Sequence, residues 1–253
     1  ARTAFTARLP TVEALARASP ADVLRAWQGL GYNRRAINLQ RTARIIVDEL
    51  GGVFPRTVAG LERLPGIGPY TARAVASIAF RQPTGAVDTN VRRVLGRVLV
   101  GDPRRLSARE LQAAADRLVD PERPDRWTQA LMDIGSSLCR PARPACPECP
   151  VQAACRYAAG DRPGPAGAGT PRRTKGAASP ANLPFEATTR WLRGRILDRL
   201  RETPGDAWTV LPDSIGQHAP SAVRTSLLAL RRDGLLELDE DADGRQWARL
   251  PIA

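Results

Sequence analysis

A mainly α-helical chain is predicted, closing in a small winged-helix-like unit. Two features of the sequence carry that expectation. Between residues 11 and 155 the segments TVEALARASPADVLRAW, RRAINLQRTARIIVDEL, YTARAVASIAF, NVRRVLGRVLV, ARELQAAADRLV and DRWTQALMDIGSSL repeat apolar side chains at three- and four-residue spacing, and few stretches alternate as a half-buried strand would. Near the end, RWLRGRILDRLRE and PSAVRTSLLALRRDG repeat the helical pattern, and LLELDEDADGRQWARL reads as two short strands about an acidic Gly turn.

Composition sets the division between these parts. At 253 residues and 43% hydrophobic content the chain can bury a core, and its length suits one large or two modest domains. Residues 156–189, RYAAGDRPGPAGAGTPRRTKGAASPANLPFEATT, hold too little apolar content to pack and read as a flexible basic linker. The expected organisation is a helical domain over 1–155, this linker, and a winged-helix-like domain over 190–253. Within the last, Arg224, Arg231 and Arg232 offer a further contact surface, although charge runs on helices are usually solvated faces.

Charge points to the class of partner. The formal net charge is +12 from 38 basic residues, and Lys175 is the single lysine, so nearly all the surplus is guanidinium. A planar guanidinium fork suits phosphate, so a polyanion such as double-stranded DNA is the expected partner. No apolar run reaches membrane-spanning length and no signal-peptide pattern opens the chain, which excludes a membrane partner and points to a cytoplasmic, nucleoid-associated protein.

Three local patterns could carry chemistry. In LPGIGPYTARAVASIAF, which begins at Leu64, Gly66 and Gly68 permit positive φ and close backbone approach. Thr71 and the helix after it present free backbone N–H groups at a helix N-terminus. With VAGLERL before it, the unit is a helix-hairpin-helix, able to bind phosphate without reading a base; the plainer reading is an ordinary helix corner. In VDTNVRRVLGR, Asp88 reads alone as an N-cap. Cys139, Cys146, Cys149 and Cys155 then give C-x6-C-x2-C-x5-C, and these are all the cysteines of the chain. A disulfide framework does not fit an intracellular protein. Structural zinc and a 4Fe–4S cluster both remain open on spacing alone.

The order WQGLGYNRRAINL, LPGIGPYTARAVASIAF, VDTNVRRVLGR and WTQALMDIGSSLC, followed by the cysteine loop, resembles the helix-hairpin-helix Gly/Pro–Asp DNA glycosylases of the endonuclease III superfamily, and among them the MutY-type adenine glycosylases. The resemblance spans about residues 5 to 156. It implies two helical lobes, a 4Fe–4S cluster on the four cysteines, a base flipped into a pocket between the lobes, a monovalent cation at the hairpin, and a monomer acting on duplex DNA with a mispair or lesion. Asp88 matches the catalytic aspartate that stabilises the sugar cation, and Asn90 the residue that orients it. Tyr32 matches the aromatic wedge that fills the stack when a base leaves it, and Trp27 reads as core. Leu64, Gly66, Gly68 and Thr71 match the phosphate-binding hairpin, and Arg140 and Arg143 of the cysteine loop are assigned to phosphate.

Tyr70 stands where strand-cleaving relatives carry a Schiff-base lysine. The implied reaction is therefore monofunctional: hydrolytic removal of adenine opposite 8-oxoguanine. Tyrosine at this place also occurs in mismatch thymine and uracil glycosylases, which are the alternative enzymes, and a non-catalytic DNA-binding protein is the third reading. The sequence departs from the family at Thr89, where glycine is usual, and at Asn33, where a second tyrosine is usual. The helix bearing the family's catalytic glutamate is expected upstream of Ala1, since Glu13 belongs to the later TVEALA helix. The Nudix-like domain has no counterpart, and the lone His218 lies in a different context and reads as a surface residue.

Overall fold

The computed structural model describes residues 2–161, 184–205, 207–242 and 244–252. In chain order it runs α1 (Arg2–Arg8), α2 (Val12–Arg17), α3 (Pro20–Ala26), α4 (Arg34–Arg44), α5 (Val58–Glu62), α6 (Pro69–Phe80), α7 (Thr89–Val100), α8 (Ala108–Leu118), α9 (Pro124–Asp133), α10 (Thr189–Glu202), β1 (Thr209–Val210), α11 (Pro220–Arg232), β2 (Glu237–Glu240) and β3 (Gln246–Arg249). The mainly helical class is as expected, with one small C-terminal sheet. Helices α4 and α9 each widen into a π turn, at Ile45–Glu49 and Ile134–Leu138. Among the described residues no helix is long and apolar enough to cross a membrane.

The chain forms two compact units, Ala1–Phe54 with Thr174–Ala253, and Pro55–Arg173. In the first, polar caps start the short helices: the Thr11 hydroxyl accepts from Ala14 N at 3.1 Å, and that of Ser19 accepts from Asp22 N at 3.1 Å. Leu15, Val23 and Leu24 from α2 and α3 pack in one core with Ala36 and Ile37 of α4, with Leu192, Ile196, Leu197 and Leu200 of α10, and with Val223, Leu227 and Leu230 of α11. The backbone joins in, Ala21 N donating to Pro251 O at 2.9 Å. The first helices and the C-terminal stretch thus share one hydrophobic interior, which the compositional break at 156–189 does not suggest. Residues 162–183 of that segment, Lys175 included, lie outside the described residues.

The expected hairpin is β2–β3, with Glu237 opposite Arg249 and Asp239 opposite Trp247. Strand β1 adds to the other edge of β3, giving the antiparallel order β1-β3-β2. Two residues are too few to show alternation, so β1 left no trace in the sequence pattern. In the second unit, Val91, Val94 and Leu95 of α7 face Leu111 and Ala115 of α8 and Leu131 of α9. A buried polar contact, Ser77 Oγ with Thr128 Oγ1 at 2.8 Å, joins α6 to α9.

Candidate functional site

The hairpin begins with α5, capped by Thr57, whose hydroxyl accepts from Gly60 N at 3.2 Å. Gly66 turns the chain at φ +75°, a conformation that favours glycine. Gly68 does not use that freedom: it lies at φ −91° as the N-cap of α6, with Pro69 at the first helical position. An added Cβ there would meet nothing within 4 Å. Its value is the absence of a side chain, since nothing caps the first amides of α6 and residues 68–71 are exposed. A helix N-terminus left open in this way attracts an anion. Leu64 is 4% exposed, so its side chain belongs to the interior and only its backbone faces the hairpin, where its carbonyl accepts from Ile67 N at 3.2 Å.

Asp88 is the N-cap of α7, as its position predicts, Oδ1 accepting from Val91 N at 2.7 Å. Its second oxygen accepts from Asn90 Nδ2 at 3.3 Å. Asn90 is itself held, Oδ1 accepting from Arg93 Nη2 at 2.9 Å. Arg93 also donates to Gly135 O and, through Nε, to Cys139 O at 2.6 Å. Gly135 lets the π turn approach this closely, because a Cβ there would lie 2.8 Å from Asn90 Cβ. A continuous chain of donors therefore runs from the carboxylate of Asp88 to the first residue of the cysteine loop. Tyr70 lies near that carboxylate: burial first, and then the negative charge of Asp88, pushes its phenol above the ordinary tyrosine value. It stays neutral at physiological pH, with its hydroxyl 3.9 Å from Met132 Sδ.

All four cysteines are free, half-buried and line one cavity with Val94, Val98, Ile134, Leu138 and Tyr157. Among the described residues, no three His, Cys, Asp or Glu side chains converge on a single-ion site. Arg97, 8% exposed, organises the loop. It donates to Arg140 O at 2.8 Å and Pro141 O at 2.9 Å, its Nη1 lies 3.4 Å from Cys139 Sγ, and it stacks on Tyr157 at 4.6 Å. Arg140 and Arg143 are exposed, the latter at φ +54°.

In the first unit the GLGYN loop places Tyr32 at φ +50° with 65% of its surface exposed. A non-glycine residue in that region costs about 1–3 kcal/mol and persists only where its surroundings impose it. Trp27 imposes it from below: its ring packs edge-on against Phe5 at 5.2 Å while Nε1 donates to Gly31 O at 2.8 Å. Asn33 accepts from Arg201 Nη2 at 2.7 Å, which gives the departure from tyrosine a structural use. Glu13 sits exposed at the start of α2, and its own backbone N–H and then Thr11 hold its carboxyl below the ordinary value, which suits a carboxylate and not an acid. His218 stacks on Trp191 at 5.8 Å, far from any such chemistry in character. Arg93, Arg97 and Gly135 were not singled out from the sequence. The available signal was two arginines four apart on the helix that Asp88 caps, 42 residues or more ahead of the cysteine loop.

Residues 1–121 match the model of the HhH-GPD superfamily base excision DNA repair protein. The chain is 49% identical over 158 residues to the adenine DNA glycosylase of Homo sapiens, covering 61% of this chain and only 29% of that protein. It is 38% identical over 243 residues to the adenine DNA glycosylase of Mycolicibacterium smegmatis, covering 96% of this chain and 78% of that one. Among solved structures it resembles a thermostable thymine-DNA glycosylase with a TM-score of 0.58 at 28% identity, over 62% of this chain and 74% of that one. An aspartate capping a helix behind a helix-hairpin-helix, together with a relative aligned over nearly the whole chain, establishes the lineage: the chain belongs to the HhH-GPD superfamily of base excision DNA repair proteins, within its adenine DNA glycosylase family.

Proposed function

We propose that the protein is a monofunctional DNA glycosylase that removes adenine opposite 8-oxoguanine from duplex DNA. The observation that carries this is Asp88 at the mouth of α7, its free oxygen face oriented by Asn90, in a chain of the adenine glycosylase family. As the bond from adenine to C1′ breaks, the electron pair leaves with the base and positive charge develops on the sugar. A fixed carboxylate stabilises that charge without having to reorganise. Water then adds to C1′, gives up a proton, and leaves an abasic site. Tyr70 offers no amine for a Schiff base, and the only lysine of the sequence, Lys175, lies far along the chain, so the strand stays whole. The departing adenine needs protonation. The resemblance puts that acid upstream of Ala1, so activity is tested on a chain extended at its N-terminus. Such a chain should release adenine from an adenine·8-oxoguanine duplex and yield strand breaks only after alkali. Strand cleavage without alkali, or release of thymine from a guanine·thymine duplex instead, would overturn the reading.

The cysteine loop is proposed to hold a 4Fe–4S cluster, a structural group that would order the segment from Cys139 to Cys155. Four thiols lining one cavity could each ligate one iron of such a cluster, the chemistry that the donor set offers. Protein purified without oxygen should be brown and carry iron and acid-labile sulfide in equal amounts. Stoichiometric zinc without iron would refute the assignment.

The hairpin gives a separate expectation. Gly68→Ala should leave thermal stability unchanged, since its Cβ meets nothing and its φ is ordinary. It should nevertheless weaken binding to matched and mismatched duplexes alike, because the new methyl stands where a phosphate approaches the α6 amides. Titration of both duplexes by fluorescence anisotropy checks it; a defect on one mismatch alone would contradict a backbone contact.

A further inference from the structure

We infer that the groove between α10 and the start of α4 is a second DNA-binding surface, which seats a phosphodiester strand beside Tyr32; the inference rests on the reading of the protein as a duplex-DNA glycosylase. The groove encloses about 680 Å³, and five arginines (Arg34, Arg35, Arg190, Arg193 and Arg195) line it with a single aspartate, Asp198. Carboxylates answer only part of this charge. Arg195 pairs with Asp198, and Arg193 pairs with Asp233. Arg34 is 3.9 Å from Asp233 and its side chain is 71% exposed. Arg35 and Arg190 enter none of the ion pairs found among the described residues, and instead they lie over the Tyr32 ring, at 5.0 Å and 4.9 Å from its centroid. The ring attracts each guanidinium, but the neighbouring guanidinium groups repel one another, and an anion joining them would relieve that repulsion.

Two further features identify the anion as a nucleic acid strand. Phe185 is 56% exposed on the same groove and Tyr32 65%, so two exposed aromatic side chains stand among cations, the combination that single strands use for base and phosphate contact. The groove is also built rigidly. Arg201, whose side chain is 5% exposed, ties α10 to Leu24 O at 3.0 Å and to Asn33 at 2.7 Å, directly beside Tyr32. From the C-terminal stretch, the groove is thus lined mainly by the first ten residues of α10, whereas Arg224 of α11 pairs with Glu240 at 3.1 Å.

The test measures the affinity of the whole chain for a matched duplex and for one carrying adenine opposite 8-oxoguanine, across a range of salt. Neutralising two phosphate contacts should flatten the plot of log affinity against log salt by about 1.8. That is the result expected for Arg34→Ala with Arg190→Ala on both duplexes, while Arg190→Lys keeps the slope. Gly68→Ala provides the contrast, since it removes no cation and should lower affinity without changing the slope. If the double variant binds with the wild-type slope, the groove is not a DNA site, and an acidic protein segment becomes its fitting occupant. If the wild-type chain binds neither duplex, the glycosylase reading fails with it. Protection of Arg190 in the wild-type chain from phenylglyoxal by duplex DNA, read by mass spectrometry, checks the contact without any variant; equal modification with and without DNA would overturn it.

Discussion

Asp88→Asn, in a chain extended at its N-terminus, should lower adenine release by about a thousandfold while leaving the fold and the affinity for DNA intact. The separation of these effects follows from two jobs of the side chain, one observed and one proposed. One oxygen accepts the Val91 amide as an N-cap, and asparagine caps a helix as well as aspartate does. The other job needs net negative charge facing a sugar that becomes positive, and asparagine cannot supply it. Asp88→Ala should differ in a measurable way, losing about 1 kcal/mol of stability as well as activity because the cap goes too. Single-turnover excision and thermal unfolding of the two variants distinguish the roles. Retention of more than a tenth of the wild-type rate by the asparagine variant would place the cation-stabilising group elsewhere.

Arg97→Met should lower stability by about 3 kcal/mol and release the iron of the proposed cluster. Methionine fills much of the same volume, so the loss comes from hydrogen bonding. The carbonyls of Arg140 and Pro141 would lose their donors, and the Tyr157 ring its cation. These are the contacts that hold the first arm of the cysteine loop to α7. By comparison, Arg17→Ala breaks an exposed pair with Asp48 at 2.8 Å and should cost less than about 1 kcal/mol. Thermal denaturation and iron per chain for both variants measure the contrast. Equal losses at the two positions would show that Arg97 is no more than a surface arginine.

What the sequence revealed and concealed follows the range of the interactions. Caps, turns and helical periods are local, so the hairpin at Leu64 to Gly68, the N-cap at Asp88 and the final β2–β3 hairpin could be read directly. The same local reading placed Trp27 in the interior, where it packs on Phe5. The work of Arg93 and Arg97 depends on carbonyls some forty residues further along, and an arginine on a helix does not announce whether it faces water or a buried oxygen. Gly135 looked like any glycine near a helix end, and only the neighbouring Asn90 explains it. For α10 the helix was legible but its packing was not. Its leucines and isoleucine show an apolar stripe, but a stripe does not name the surfaces that cover it, and here the neighbouring α11 shares that role with α2 to α4, far earlier in the sequence.

That shared core also sets an order on the emerging chain at the ribosome. The unit Pro55–Arg173 is a continuous stretch and has all its partners once its last residues leave the exit tunnel. Helices α1 to α4 are made before it and bury Leu15, Leu24 and Ile37 in one core with α10 and α11, which are made after it. Their apolar faces must wait through the synthesis of the whole second unit, and contacts so distant in sequence close slowly. During that interval α1 to α4 are the helices of this core most exposed to aggregation and most in need of a chaperone.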